Sequence, residues 1–160
     1  MAENKTAKVL WELSFDDFSH IMNNVELPLY DKTCEIDHLV IGKFGVLVVE
    51  TKAQSGVIYG SGKDLIQEIG QYTYTLYNPL YQNKTHTDNV SYHLRKGGFR
   101  NVPVYGVVVF TSDDVVFPDE IGIRVSELPD YYRTLRNAGC NKEKIYDYFK
   151  KISVDYSSIM

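Results

Sequence analysis

Asp37, Glu50 and Lys52 are the residues of this sequence whose types and spacing could do chemistry. Asp37 lies in EIDHLVIG and the other two in VLVVETK. These apolar, β-branched runs are separated only by Gly42-Lys43-Phe44-Gly45, which is the pattern of an antiparallel hairpin. A two- or four-residue loop centred between Lys43 and Phe44 sets Asp37 opposite Glu50 and Glu35 opposite Lys52; a three-residue loop breaks that register. Directly opposed side chains share a face, with Cβ atoms about 4.5–5.5 Å apart. Lys52, two residues beyond Glu50, joins the same face. Two carboxylates that close repel each other unless a cation lies between them. An oxygen-only pair with room for water suits Mg²⁺, which keeps waters and takes one or two carboxylates plus substrate phosphate oxygens. Lys52 beside such an ion could orient or deprotonate an attacking water, or neutralise a phosphate. An ordinary exposed strand end with a cross-strand Glu–Lys pair would show the same residues, and D…ExK alone recurs by chance.

The elements that must position these residues follow from periodicity. Residues 4–22 carry Val9, Leu10, Leu13, Phe15, Phe18, Ile21 and Met22 at helical spacing, with a break expected near Ser14, where Ser-Phe-Asp-Asp reads as a new N-cap. NVELPLY reads as a short strand whose Pro28 prefers an edge. After the hairpin, SGVIYGSG is a third short strand, and LIQEIGQYTYTLYNP supplies one or two more. Asn78 and Pro79 cap and open a helix, and Gly97-Gly98 ends it. VPVYGVVVFTS is a strand buried on both faces. IGIRVS forms a short strand, and helices are expected around residues 129–137 and 141–152. The order predicts a mixed α/β fold with a central sheet flanked by helices.

The chain has 160 residues, enough for one domain, residues 1–160, with a core that needs no staples. The net charge of −4 excludes a broad basic coat for nucleic acid but leaves room for a small metal-assisted site. Cys34 and Cys140 are too few for a disulfide framework or a thiolate zinc site. No apolar run approaches the ~18–20 residues of a membrane span, so no membrane partner is expected. The N-terminus lacks the apolar stretch of an export signal, which points to the cytoplasm.

EIDHLVIGKFGVLVVETKAQSGVIYG followed by YNPLYQNKTHTDNVSYHLR closely resembles the nuclease-related domain family, grouped with the PD-(D/E)xK nucleases. The resemblance covers about residues 35–95 and, more loosely, the whole chain. It implies a restriction-endonuclease-like α/β/α core with a mixed central sheet, and a Mg²⁺- or Mn²⁺-dependent phosphodiesterase acting on DNA. By the same resemblance Asp37 and Glu50 match the metal-binding acids, the Thr51 carbonyl a third ligand, and Lys52 the catalytic lysine. Gln82 matches a glutamine brought to the site by a helix, and Glu3 stands nearest to an acidic residue of the first helix. Fold analogy does not itself establish activity. The alternative is a module on the same fold that holds nucleic acid or a protein without cutting. A homodimer would remedy the small DNA footprint of a lone domain.

His38 alternates with Asp37 and should face away from it, in a structural role. His86 and His93 share a helix face, His86 one turn after Gln82. A solvated surface position is expected for His86, with contact to a phosphate or a metal-bound water as the functional alternative. Lys84, Arg95, Lys96 and Arg100 form the best phosphate-binding rim in an acidic chain; an ordinary charged helix face is the competing reading. SGVIYGSGKD fails as a phosphate loop, because five residues separate Gly56 from Gly62 and Asp64 follows Lys63. Trp11 and Tyr30 are expected in the core.

Overall fold

The computed structural model describes residues 2–154; the expected domain also includes residues 1 and 155–160, which lie outside the described residues. A five-stranded sheet organises the molecule. Its strands are β1 (His20–Leu29), β2 (Lys32–Gly42), β3 (Gly45–Lys52), β7 (Val104–Phe110) and β8 (Ile123–Arg124), in spatial order β1-β2-β3-β7-β8. The first three are antiparallel, while β7 and β8 run parallel to β3. β3 is central, so its near-continuous apolar run is needed to cover both faces. Val46 and Val48 join one core with α2 (Pro79–Lys96) and α4 (Lys142–Ile152), through Val90, Leu94, Ile145 and Phe149. Leu47 and Val49 join a second core with α1 (Ala2–Asp17) and α3 (Leu128–Arg133), through Leu10, Leu128 and Tyr132. Helices therefore cover both faces, as expected for an α/β/α core.

Between β3 and α2 the chain builds a separate antiparallel sheet from β4 (Val57–Tyr59), β5 (Asp64–Ile69) and β6 (Tyr72–Tyr77). Ile58 and Leu65 seat it on Val108, Phe110, Val115 and Ile121. β6 runs into α2 through Asn78, whose side chain accepts the Leu80 N–H, with Pro79 opening the helix as its sequence requires.

Three local expectations are corrected. α1 is continuous through Ser14, whose hydroxyl donates back to the Trp11 carbonyl at 2.7 Å and so does not cap a new helix. The helix ends at Asp17, before Phe18 takes a left-handed φ of 56°. Residues 20–22, expected in the helix, form the start of β1 opposite Ile41, Val40 and Leu39. Their apolar spacing fits both periods, and pairing with β2 decides between them. The helix expected over 129–137 stops at Arg133, where the Thr134 hydroxyl takes the Tyr131 carbonyl.

One irregularity bears on the site. The β1–β2 ladder pairs Asn23 with His38 and Val25 with Ile36, but drops the intervening Asn24 and Asp37. Asn24 has φ 54°, a left-handed conformation that asparagine tolerates better than other non-glycine residues. Here the inward-facing set switches from Leu39 and Ile41 to Cys34 and Ile36 in β2, and from Met22 to Val25 and Leu27 in β1. Asp37 sits on the switch, free of the regular ladder.

Candidate functional site

The β2–β3 hairpin has the register its loop length demands, from Gly42 opposite Gly45 to His38 opposite Val49. The ladder stops one pair short of Asp37 and Glu50. The Thr51 N–H, on the β2 edge of β3, donates to Asp37 Oδ2 at 2.8 Å. Asp37 is thereby turned onto β3 at the level of Glu50. Glu35 does not reach Lys52; it stays in the β1–β2 ladder opposite Glu26. Lys52 closes β3 on the face of Glu50 and makes no ion pair among the described residues.

The electrostatics of the cluster show how near these groups are. Glu50 is 4% exposed, and its pKa is pushed up to about 8. Burial is the main cause, followed by a hydrogen bond to the Asp37 carboxyl, the Asp37 charge and a smaller contribution from Glu3, with Lys52 opposing. Glu3, in the first turn of α1, is itself raised by burial and by the charges of Asp37 and Glu35. The first helix thus brings the Glu3 carboxyl within the field of Asp37. His86 is 7% exposed, and burial lowers its pKa against the pull of Asp37. It is a buried neighbour of Glu50, not a solvated surface residue: Nδ1 lies 4.0 Å from Glu50 Oε2, too far for a hydrogen bond. Neither atom has any hydrogen-bond partner. Gln82, half-buried, stands one helical turn before His86 on the same side of α2. From α1, Lys5 reaches the Thr111 carbonyl at 3.5 Å, and the Thr111 N–H in turn holds the Lys52 carbonyl.

Other expected residues lie elsewhere. Lys84 is exposed and paired with Asp88 at 2.8 Å. Arg95, Lys96 and Arg100 lie at the far end of α2 and just beyond it, roughly 13 Å or more along the helix from His86, so they do not border the carboxylates. His38 is buried facing away, its Nδ1 donating to Asn23 Oδ1 at 2.7 Å. His93 is also buried, and its Nε2 donates to the Pro28 carbonyl at 2.7 Å. Trp11 and Tyr30 are 59% and 98% exposed; both are surface residues, not core. Asn83 and Asn89 were not singled out from the sequence. They are buried on the His86 side of α2, and Asn83 Nδ2 reaches the carbonyls of Val48 and Val107. Their signal was the recurrence of Asn and His at helical spacing among Val90 and Leu94 (positions 83, 86, 89 and 93).

Among the described residues, no group of three or more His, Cys, Asp and Glu side chains is arranged to enclose a metal by itself. The set present is two facing carboxyls plus the Thr51 main chain. The Thr51 carbonyl leaves β3 on the edge that carries the N–H bonded to Asp37. The partnerless Glu50 Oε2 fits a hard cation that completes its shell with water and substrate oxygens.

The sequence model described as nuclease-related domain matches residues 1–111. This chain belongs to the nuclease-related domain family, and its mixed sheet between two helical layers is the restriction-endonuclease-like core expected of it. It is 41% identical over 70 residues to an uncharacterized protein of Bacillus anthracis, a match covering 42% of this chain and 33% of that protein's length. No solved structure is significantly similar. No helix among the described residues is long and apolar enough to cross a membrane.

Proposed function

We propose that this chain hydrolyses phosphodiester bonds in DNA with the help of Mg²⁺ or Mn²⁺. The observation that carries the reading is the pairing of Asp37 with a Glu50 that is almost fully buried, raised to about 8, and left with a partnerless oxygen. A fold that needed only stability would gain by replacing such a carboxylate with an apolar residue. Asp37, Glu50 and the Thr51 carbonyl would hold the ion. Once bound, the ion would polarise a phosphate oxygen and lower the pKa of a water. The protein's own contribution is positional. The Thr51 N–H fixes the Asp37 carboxylate, and the rigid central strand fixes Glu50. Lys52 places a positive charge where the attacked phosphate becomes more negative. Gln82 would orient a water or a phosphate oxygen, and Glu3 would accept a hydrogen bond from a water.

The test is a nuclease assay on single- and double-stranded DNA with Mg²⁺ or Mn²⁺, comparing wild type with Asp37→Ala and Lys52→Ala. Loss of cleavage in both variants and in EDTA is expected. Equal cleavage in all three proteins would show contamination and refute the assignment. Salt-sensitive DNA binding without calorimetric binding of Mg²⁺ would instead establish a non-cleaving module, and sedimentation with and without DNA reports whether a dimer forms.

A further inference from the structure

A cavity lies further along α2. The tight turn between β1 and β2 leans on the helix, pinned where His93 Nε2 donates to the Pro28 carbonyl at 2.7 Å. Between turn and helix is an open cavity of about 540 Å³, within the range of small-molecule sites. Tyr30 from the turn and Tyr92 from the helix line it, with Asn89 and His93 behind them and Arg95 and Lys96 at the rim. Asp88, also at the rim, is neutralised by Lys84. Two exposed aromatic rings, a buried amide and two cations, Lys96 with its Nζ 5.9 Å from the Tyr92 ring centroid, match the parts of a nucleotide: a flat base with polar edges, and a phosphate.

Two observations set this cavity apart from an incidental surface dent. Tyr30 is 98% exposed and has φ 55° in a two-residue turn between Leu29 and Lys32. Such turns favour Asn or Gly, because a bulky residue is strained there. The turn thus holds a large aromatic ring in solvent at a cost in backbone energy. Asn89 is 4% exposed, and among the described residues the one group its Nδ2 meets is the Cys34 thiol, whose pKa the amide pulls down against the larger rise from burial. The neighbouring Cys34 thiol, kept protonated by burial, is a weak acceptor.

His86, Asn89 and His93 follow one another along the buried side of α2. The same helix side therefore runs from Glu50 to the cavity. We propose that the cavity is a nucleotide subsite. In it the base of a single-stranded segment stacks on Tyr30 and Tyr92, and the adjoining phosphate meets Arg95 and Lys96, while a phosphate several nucleotides further along the same strand reaches the Asp37–Glu50 pair. The placement of the strand rests on the phosphodiesterase reading above; the base-and-phosphate site does not.

The experiment is fluorescence anisotropy of a labelled oligothymidylate with the whole chain in EDTA, with thymidine 5′-monophosphate as a separate ligand. Tyr92→Ala and Tyr30→Asn are each expected to weaken oligonucleotide binding about five- to a hundredfold. Arg95→Ala should weaken it and flatten its salt dependence. Tyr72→Ala, on the other sheet, should bind as wild type. Tyr30→Asn should also raise the melting temperature, because it relieves the turn; a purely structural tyrosine would not give opposite changes in stability and affinity. Wild-type affinity in both tyrosine variants, or no oligonucleotide binding by the wild type, overturns the proposal. Binding of the monophosphate alone, sensitive to the same variants, overturns the strand and leaves a free nucleotide as the ligand. DNA cleavage with a Michaelis constant unchanged in the tyrosine variants sinks the subsite but not the phosphodiesterase. Tyrosine-sensitive oligonucleotide binding with no cleavage under any metal does the reverse.

Discussion

Glu50→Gln removes one ionisation from the site and keeps its shape, which makes the buried carboxyl measurable as stability. In the unfolded chain a glutamate titrates near ~4.3; in the folded protein Glu50 is pushed up to about 8, with the Asp37 charge beside it. Below the unfolded value both states hold the proton, and Glu50 adds no pH dependence. Between the two values the native state keeps a proton that the unfolded state has lost, so stability falls as pH rises, by up to about 1.4 kcal/mol per pH unit. Above about 8 both states are ionised and the curve levels, with the native state carrying the full cost of a buried charge. The whole span has a ceiling of roughly 5 kcal/mol. Glutamine can still hydrogen-bond to Asp37 but cannot ionise. Urea unfolding in EDTA at several pH values from 5.5 to 8.5 should show Glu50→Gln gaining on the wild type as pH rises and exceeding it by several kcal/mol at the alkaline end. Mn²⁺ should then stabilise the wild type and not the variant, because it binds the ionised native pair. Parallel pH profiles for the two proteins would refute the reasoning, since they would mean that Glu50 is not holding a proton against Asp37.

The affinity for Mn²⁺, measured by calorimetry, should rise about tenfold per pH unit from pH 6 towards 8 and level beyond it, because binding must displace the Glu50 proton; a flat profile would contradict the ligand assignment. Gly45→Ala should destabilise by about 3 kcal/mol or more, read by denaturant midpoint: Gly45 has φ 123°, and a Cβ there would lie 2.2 Å from the Pro103 carbonyl oxygen. Asn24→Ala should cost about 1–2 kcal/mol in the same assay and Asn24→Gly little, because only the left-handed backbone distinguishes them. Asn83→Ala should cost about 1–3 kcal/mol, since it removes the amide that reaches the carbonyls of both β3 and β7.

The hairpin was readable because each part of the signal was local. A short polar loop between two β-branched runs fixes register, and register fixes which acids approach. The helix opening at Asn78-Pro79 and the buried strand at 104–110 were readable for the same reason, as cap chemistry and unbroken apolarity need no tertiary information. The start of β1 was misread because residues 20–22 satisfy both a helical and a strand period, and only the edge of β2 chooses between them. Trp11 and Tyr30 were misplaced because an aromatic side chain says nothing by itself about which side of a helix or turn meets solvent. His86 was misjudged for a related reason: its burial depends on how α2 rolls against β3, and that is set by Val90 and Leu94 meeting the sheet.

The order of elements and the hairpin register that carries Asp37 towards the level of Glu50 were thus determined by the sequence alone, since period, cap and loop length act within a few residues. The tertiary structure decided the environment. The Asn24 switch frees Asp37 to take the Thr51 N–H, and the packing of α2 shuts Glu50 and His86 away from water. The start of α1 adds Glu3. Desolvation and charge proximity depend on every layer packed around a group, and no segment of chain encodes them by itself.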